Sequence, residues 1–280
     1  MTVTITRALW FGVAVATALT ACQRSPESSD APGRSSSVNV PVAAATVSSA
    51  LEQHISTRRY RIDVTYPPLS PEADVLARAL HARTEAARVD FMKGLPDPKT
   101  LPEFADRQLR MMIDYKVASR TPAFVSVREQ GMMDTGGAHP IPLDGTFVFD
   151  LPHRRLVAFD DLFVDPVAAR ARLSVLARKA LYAKLLDKVP GGDKTPAKVR
   201  KQWQDNMRGM IDDGTRPTAQ NFGEFLVDGG GLDAPPSLVL VFSPYQVAPY
   251  VYGAQTVKVP LKDFASMLKP PYRGAFGLAP

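Results

Sequence analysis

An α+β fold, with antiparallel sheets packed with helices in two subdomains, follows from three features of this 280-residue chain. Stretches with strand periodicity and stretches with helical periodicity come in blocks instead of alternating one by one. Turn formers separate the strand candidates at hairpin-length intervals, which favours antiparallel pairing over crossover connections. Cys22 is the only cysteine, so no internal disulfide can form and the fold must rest on its hydrophobic core. The 45% hydrophobic and 22% charged residues are ordinary for a globular protein.

The chain opens with Arg7 and an apolar run from Ala8 to Leu19, too short to span a bilayer comfortably and built like a secretory signal. It ends in Leu19-Thr20-Ala21-Cys22, which resembles a bacterial lipobox. That resemblance implies a lipoprotein signal peptide over 1–21 and a lipid on Cys22, the first mature residue. The alternatives are a secreted protein with an incidental cysteine and an uncleaved anchor. Residues 22–52 are rich in Ser, Pro, Ala and Gly and read as a flexible tether, because they cannot bury enough surface to offset ordering entropy.

Ordered sequence is expected from Gln53, with an N-terminal α+β subdomain over 53–127 and a C-terminal one over 128–280. Tyr60, Ile62, Val64 and Tyr66 alternate with polar residues, as in a half-buried strand. Ser70-Pro71-Glu72 gives an N-cap, a first-turn proline and an acid. The helix it opens buries Leu76, Leu80, Ala87 and Phe91 and stops by Gly94. Strands are predicted over Leu109–Ser119, Phe124–Gln130, Thr146–Leu151 and Leu156–Phe159, with Pro152-His153-Arg154 turning between the last two. Asp160-Asp161 leads into a helix capped by Asp165-Pro166, with Leu173, Leu176, Ala180 and Leu181 inward and Arg170, Arg172, Arg178 and Lys179 on a solvated face. Thr195-Pro196 caps another helix with Val199, Trp203, Met207, Met210 and Ile211 on its core side. Three strand candidates follow, Asn221–Val227, Leu238–Phe242 and Gln255–Val259, the first two joined by a hairpin loop at Gly229-Gly230-Gly231. Pro260 then leads into a short helix around Phe264 and Leu268.

Two segments carry a family resemblance. Asp134-Thr135-Gly136-Gly137-Ala138-His139-Pro140 resembles the TGGAHP turn of a bacterial extracellular domain family, and Phe242-Ser243-Pro244-Tyr245-Gln246-Val247-Ala248-Pro249-Tyr250 resembles its aromatic-proline signature. Tyr60–Pro67 and Phe159-Asp160-Asp161-Leu162-Phe163 are similar to its opening strand and its link into a long helix. The family is that of the ectodomain of the lysozyme-sensing anti-sigma factor RsiV and the accessory region of PdaC-type peptidoglycan deacetylases. The resemblance covers roughly Gln53 to Leu268 and implies an α+β fold of two subdomains with a binding role in the envelope. A lipobox stands where the anti-sigma factor has a transmembrane helix, and no cytoplasmic sigma-binding segment is expected. No deacetylase domain is expected either, so neither activity is carried over.

The binding candidates are Gly136, Gly137, His139, Tyr245, Gln246 and Tyr250. Gly136-Gly137 permits close backbone approach, and Pro140 pushes His139 into an extended conformation. Pro244-Tyr245 and Pro249-Tyr250 place two amphipathic aromatics on a stiff loop, suited to protein or sugar. Either segment could instead hold the fold, with His139 bonded to nearby backbone and each tyrosine hydroxyl satisfied internally.

Catalysis draws little support. His54, His81, His139 and His153 lack the spacing of a helical metal site, no nucleophile elbow or phosphate-binding loop occurs, and no cofactor is implied. The chain is therefore read as a non-enzymatic, envelope-anchored lipoprotein, in a two-membrane bacterium attached to the outer membrane and facing the periplasm. Its expected partner is lysozyme or a lysozyme-like muramidase, with peptidoglycan as the alternative and a wall-glycan hydrolase or deacetylase as a third reading. The net charge of +6 and pI near 9.4 suit anionic glycan or phospholipid, or are a solubility setting. They give no long-range attraction to basic lysozymes. Nucleic-acid binding is not expected, because no basic run is interleaved with aromatics.

Overall fold

A six-stranded sheet forms the spine of the computed structural model, which describes residues 51–104, 106–230 and 235–278. The signal segment, Cys22, nearly all of the tether and Gly231 lie outside those residues. The strands are β1 (Gln53–Ser56), β2 (Tyr60–Thr65), β3 (Leu109–Arg120), β4 (Phe124–Asp134), β5 (Ile141–Asp150) and β6 (Arg155–Leu156), in that spatial order. Helix α1 (Asp74–Gly94) connects β2 to β3, and this crossover makes β2 and β3 parallel, whereas every other neighbouring pair is antiparallel.

Helix α1 buries Leu76, Leu80, Ala87 and Phe91 as its periodicity predicts, and adds Ala77 and Thr84. Its start differs from expectation. Pro71–Ala73 form a 3-10 turn closed by the Ala73 N–H on the Ser70 carbonyl, while the Ser70 hydroxyl caps nothing.

The chain continues through α2 (Phe159–Leu162), α3 (Pro166–Leu185) and α4 (Ala197–Gly214). It then forms a second, antiparallel sheet of β7 (Phe225–Asp228), β8 (Ser237–Phe242) and β9 (Gln255–Pro260). A 3-10 segment, Leu261–Met267, and α5 (Pro270–Ala275) close it. The Asp165 carboxylate accepts from the Val167 and Ala168 N–H groups, so the predicted cap of α3 holds.

Several expectations are corrected. The strand predicted to start at Thr146 starts at Ile141, and Phe159 belongs to α2 because the Asp161 carboxylate turns back onto the Ala158 N–H. Arg170 is buried against Asp160, and Arg178 pairs with Asp212 at 2.9 Å, so only Arg172 and Lys179 of the four named cations stand in solvent. Ala177 takes the core position expected of Ala180, and Val199 is exposed.

The boundary expected at Val127–Arg128 falls inside β4, and the described residues form one compact unit. Alternation along β4 and β5 explains this. Val125, Val127 and Phe149 point into the core beneath α1, whereas Phe124 and Val148 point into the core built with α3, α4 and the second sheet. Ser126, on the second face, accepts from the Val227 N–H at 3.0 Å and donates to the Val227 carbonyl at 2.8 Å. Two strands thus belong to both cores, and no cut between them leaves both intact.

Candidate functional site

The TGGAHP segment is the loop between β4 and β5, and the aromatic-proline segment is the connection between β8 and β9. A glycine at position 136 is required twice over. Its φ is +90°, and a Cβ there would stand 2.5 Å from the Phe104 ring. The Asp134 carboxylate accepts from the Gly136 N–H at 2.9 Å and is held by Arg107 at 2.8 Å. Gly137 is exposed and has only the His139 carbonyl near its Cβ position, at 3.8 Å.

The second loop begins with a turn closed by the Gln246 N–H on the Ser243 carbonyl at 3.0 Å. Pro244 takes its second position and Tyr245, with φ +70°, its third. That is the pattern of a type II turn, whose third position favours glycine. A tyrosine there costs about 1–2 kcal/mol of backbone strain. Gln246 is spent on the fold. Its side-chain amide donates to the Gly214 and Asn221 carbonyls at 3.1 and 3.0 Å and its oxygen accepts from the Ser243 N–H. Val247 and Ala248 are buried, and Tyr252 donates to the Lys188 carbonyl at 2.8 Å and packs on Trp203.

These anchors bring residues 106 apart in sequence into contact, with the Tyr245 hydroxyl 2.9 Å from His139 Nε2. His139 Nδ1 lies 3.0 Å from the Pro140 carbonyl, which can only accept. The proton therefore sits on Nδ1 in the neutral ring, and Nε2 receives the tyrosine O–H. The His139 ring stacks on Tyr250 at 4.8 Å and 22°, and the two tyrosine rings lie 5.5 Å apart. His139 and Tyr245 are exposed, Tyr250 is half-buried, and Val251 beside them is 85% exposed. Both hydroxyl–imidazole and stacking contacts leave outer ring faces to solvent, a geometry that offers flat, weakly polar area with few free rotors.

Beneath the aromatic surface lies a layer that sequence reasoning missed. Arg128 of β4 and Asp144 of β5 form a nearly buried ion pair. Burial pushes the Asp144 carboxyl above the usual carboxylate range, against the pull of Arg128. Thr146, one pleat further, donates to Glu224 at 2.8 Å and accepts from the Phe225 N–H. The alternation of Arg128, Asp144 and Thr146 on one sheet face could have signalled the layer, but only once the strand register was known.

The other histidines stand apart. His54 faces Asp63 at 3.3 Å, His153 faces Asp150 at 2.8 Å, and His81 lies on α1. Among the described residues no three His, Cys, Asp or Glu side chains converge as metal ligands would, and no helix is long and apolar enough to cross a membrane.

Residues 160–262 match the family model described as "Protein of unknown function (DUF3298)", a range that includes the second signature and begins after the first. Peptidoglycan-N-acetylmuramic acid deacetylase PdaC of Bacillus subtilis strain 168 is 22% identical over 215 residues, which cover 77% of this chain and 40% of that protein. The chain thus spans well under half of that relative's length. A DUF3298-family protein from Bacteroides fragilis NCTC 9343 superposes with a TM-score of 0.51 at 19% identity, covering 78% of this chain and 87% of that one. A second, from Pseudomonas aeruginosa PAO1, gives 0.50 at 19% identity over 77% and 88%. At such identities the solved structures speak for the fold alone. Residues 160–262 thus resemble a DUF3298 domain, and the resemblance of this chain to the RsiV/PdaC-type extracellular family is borne out.

Proposed function

We propose that this chain is an envelope lipoprotein, anchored through a lipid on Cys22, whose domain binds a cell-wall component without transforming it. The carrying observation is the His139–Tyr245–Tyr250 surface: two distant loops meet in an exposed aromatic platform, one of whose members is held in a strained turn. Strain at an exposed side chain that adds nothing to either core fits a residue kept for contact. The name of the Bacillus subtilis relative supports peptidoglycan as the ligand class, with sugar rings laid on the tyrosine faces.

A second reading, a lysozyme-like protein as partner, draws on Val251, an aliphatic side chain more useful against protein than sugar. Sacculus pull-down and calorimetry with lysozymes separate the two. Retention on sacculi that falls about tenfold for Tyr245→Ala and again for Tyr250→Ala supports the glycan site. Retention unchanged in both variants removes it, and saturable heat with a lysozyme but none with muropeptides favours the protein partner.

A further inference from the structure

The basic excess of the chain is concentrated in one place. Between Asp165 and Arg216 twelve Lys and Arg face six acids, an excess as large as the +6 of the whole sequence. Within that region α3 is the extreme case, since its twenty residues contain no Asp or Glu. Its buried stripe (Ala169, Leu173, Ala177, Leu181 and Leu185) packs into the second core. On the opposite side Val167, Ala171 and Val175 follow one another at four-residue spacing, and the two valines are 67% and 63% exposed.

Arg172 and Lys179 lie along one edge of this apolar stripe, both exposed, and neither pairs with an acid among the described residues. Lys184 lies off this face, two turns beyond buried Ala177, and near the helix C-terminus it is explained by the macrodipole alone. Arg172 in the first half of the helix and the solvent-facing valines are not. Valines in line beside unpaired cations, on a helix without acids, differ from the mixed charges of an ordinary solvated face.

We infer that this face of α3 docks on an anionic lipid surface, with the helix parallel to the bilayer. The valines would lie at the headgroup–acyl boundary and the two cations among the phosphates. Charge fixes the sign of the partner, and the aliphatic stripe distinguishes a lipid interface from a purely polar polyanion. A second copy of the chain is disfavoured, because a twofold contact through this stripe would set the same cations against each other. The inference does not depend on acylation at Cys22 or on the aromatic surface, which is borne on other elements.

The test is cosedimentation of residues 44–280, whose two hydrophobic cores contain no residue before Leu51. Vesicles of phosphatidylcholine with and without phosphatidylglycerol are compared at low and high salt. Binding to the phosphatidylglycerol vesicles alone, weakened by salt, is the expected result. The double variant Arg172→Glu/Lys179→Glu should lose about thirtyfold in partitioning. Val167→Ser/Val175→Ser, at unchanged charge, should lose about tenfold. All four side chains are exposed, so folding is retained, which thermal melts verify. Three outcomes overturn the inference: no sedimentation with phosphatidylglycerol at low salt, binding unchanged in the double charge variant, or a dimer of the free protein that the valine variant dissociates.

Discussion

Gly136 and Tyr245 both hold φ values near +80°, in loops that touch, yet the reasons are opposite. At Gly136 the φ is +90° and the Phe104 ring occupies the place a side chain would take, so the fold itself demands glycine. At Tyr245 the φ is +70°, the side chain is 51% exposed, and a glycine would suit the turn better. One position is solved by the residue that fits. The other keeps a residue that does not fit, for what its side chain reaches. Within a single surface, then, Gly136 holds the fold and Tyr245 presents chemistry.

Gly136→Ala should give the largest loss. Positive φ costs about 1–2 kcal/mol, and forcing a methyl against Phe104 adds overpacking, for a total of about 3 kcal/mol. Denaturant melts would show this as a lowered midpoint at unchanged slope. A loss under about 1 kcal/mol would place Gly136 with the functional residues instead of the structural ones.

Gln246→Ala comes next. It removes three hydrogen bonds and strands the Gly214 carbonyl and the Ser243 N–H beside the turn, so about 2 kcal/mol is expected. Binding should weaken along with stability, because the turn that sets Tyr245 loosens. Gln246 was a binding candidate by sequence. Binding that falls sharply in a variant whose melt is unchanged would restore direct contact with the ligand.

Glu129 puts the same question to electrostatics. Its side chain is fully buried on the α1 face of β4, with Oε2 3.0 Å from Arg83 and Oε1 unpartnered. Burial pushes its carboxyl above the usual range, opposed by Arg83 and reinforced by Glu224 and Asp144. A folded value above the unfolded one, about 4.3, means that this carboxyl's contribution is fully present below pH 4.3 and is lost as pH rises through the folded value. Asp63, Glu85, Asp114 and Asp228 are shifted down by their basic partners and act in the other direction. They are common to wild type and Glu129→Gln and cancel in the difference. The stability of wild type minus that of Glu129→Gln should therefore fall as pH climbs from about 4 through the folded value. A difference that is flat with pH would mean that the carboxyl is not perturbed. Glycan retention should be the same in both proteins, since Glu129 lies on the other face of β4.

Much of this was legible in the residues alone. Helix α1 and the Asp165 cap of α3 declared themselves by spacing and capping, because their causes are local. The two signature segments were legible as places of interest. Their meeting was not, since it depends on β4 and β5 running to Asp134 and Ile141 and so aiming the hairpin at the β8–β9 connection. The parallel pairing of β2 with β3 and the burial of Arg170 were equally hidden. One is set by where α1 returns the chain, and the other by Asp160 arriving from a neighbouring element. The subdomain boundary failed for a related reason. The alternation of Phe124, Val125 and Ser126 is visible in sequence, but that both faces are covered is a fact of the assembled sheet.

Tyr245→Gly is the smallest change in stability and the sharpest test of the contrast. It releases about 1–2 kcal/mol of strain and loses the hydroxyl bond to His139 and part of a ring contact, worth about 1 kcal/mol at an exposed site. The net should be a melt unchanged or slightly raised, although a tyrosine has been removed. Ligand retention should fall by tenfold or more, because the platform loses its exposed tyrosine. Tyr245→Phe distinguishes the parts: it keeps ring and strain, loses the bond to His139, and should weaken binding less than glycine does. If Tyr245→Gly lowered the melt as far as Gly136→Ala, the tyrosine would be a fold requirement, and both signatures would then serve the scaffold alone.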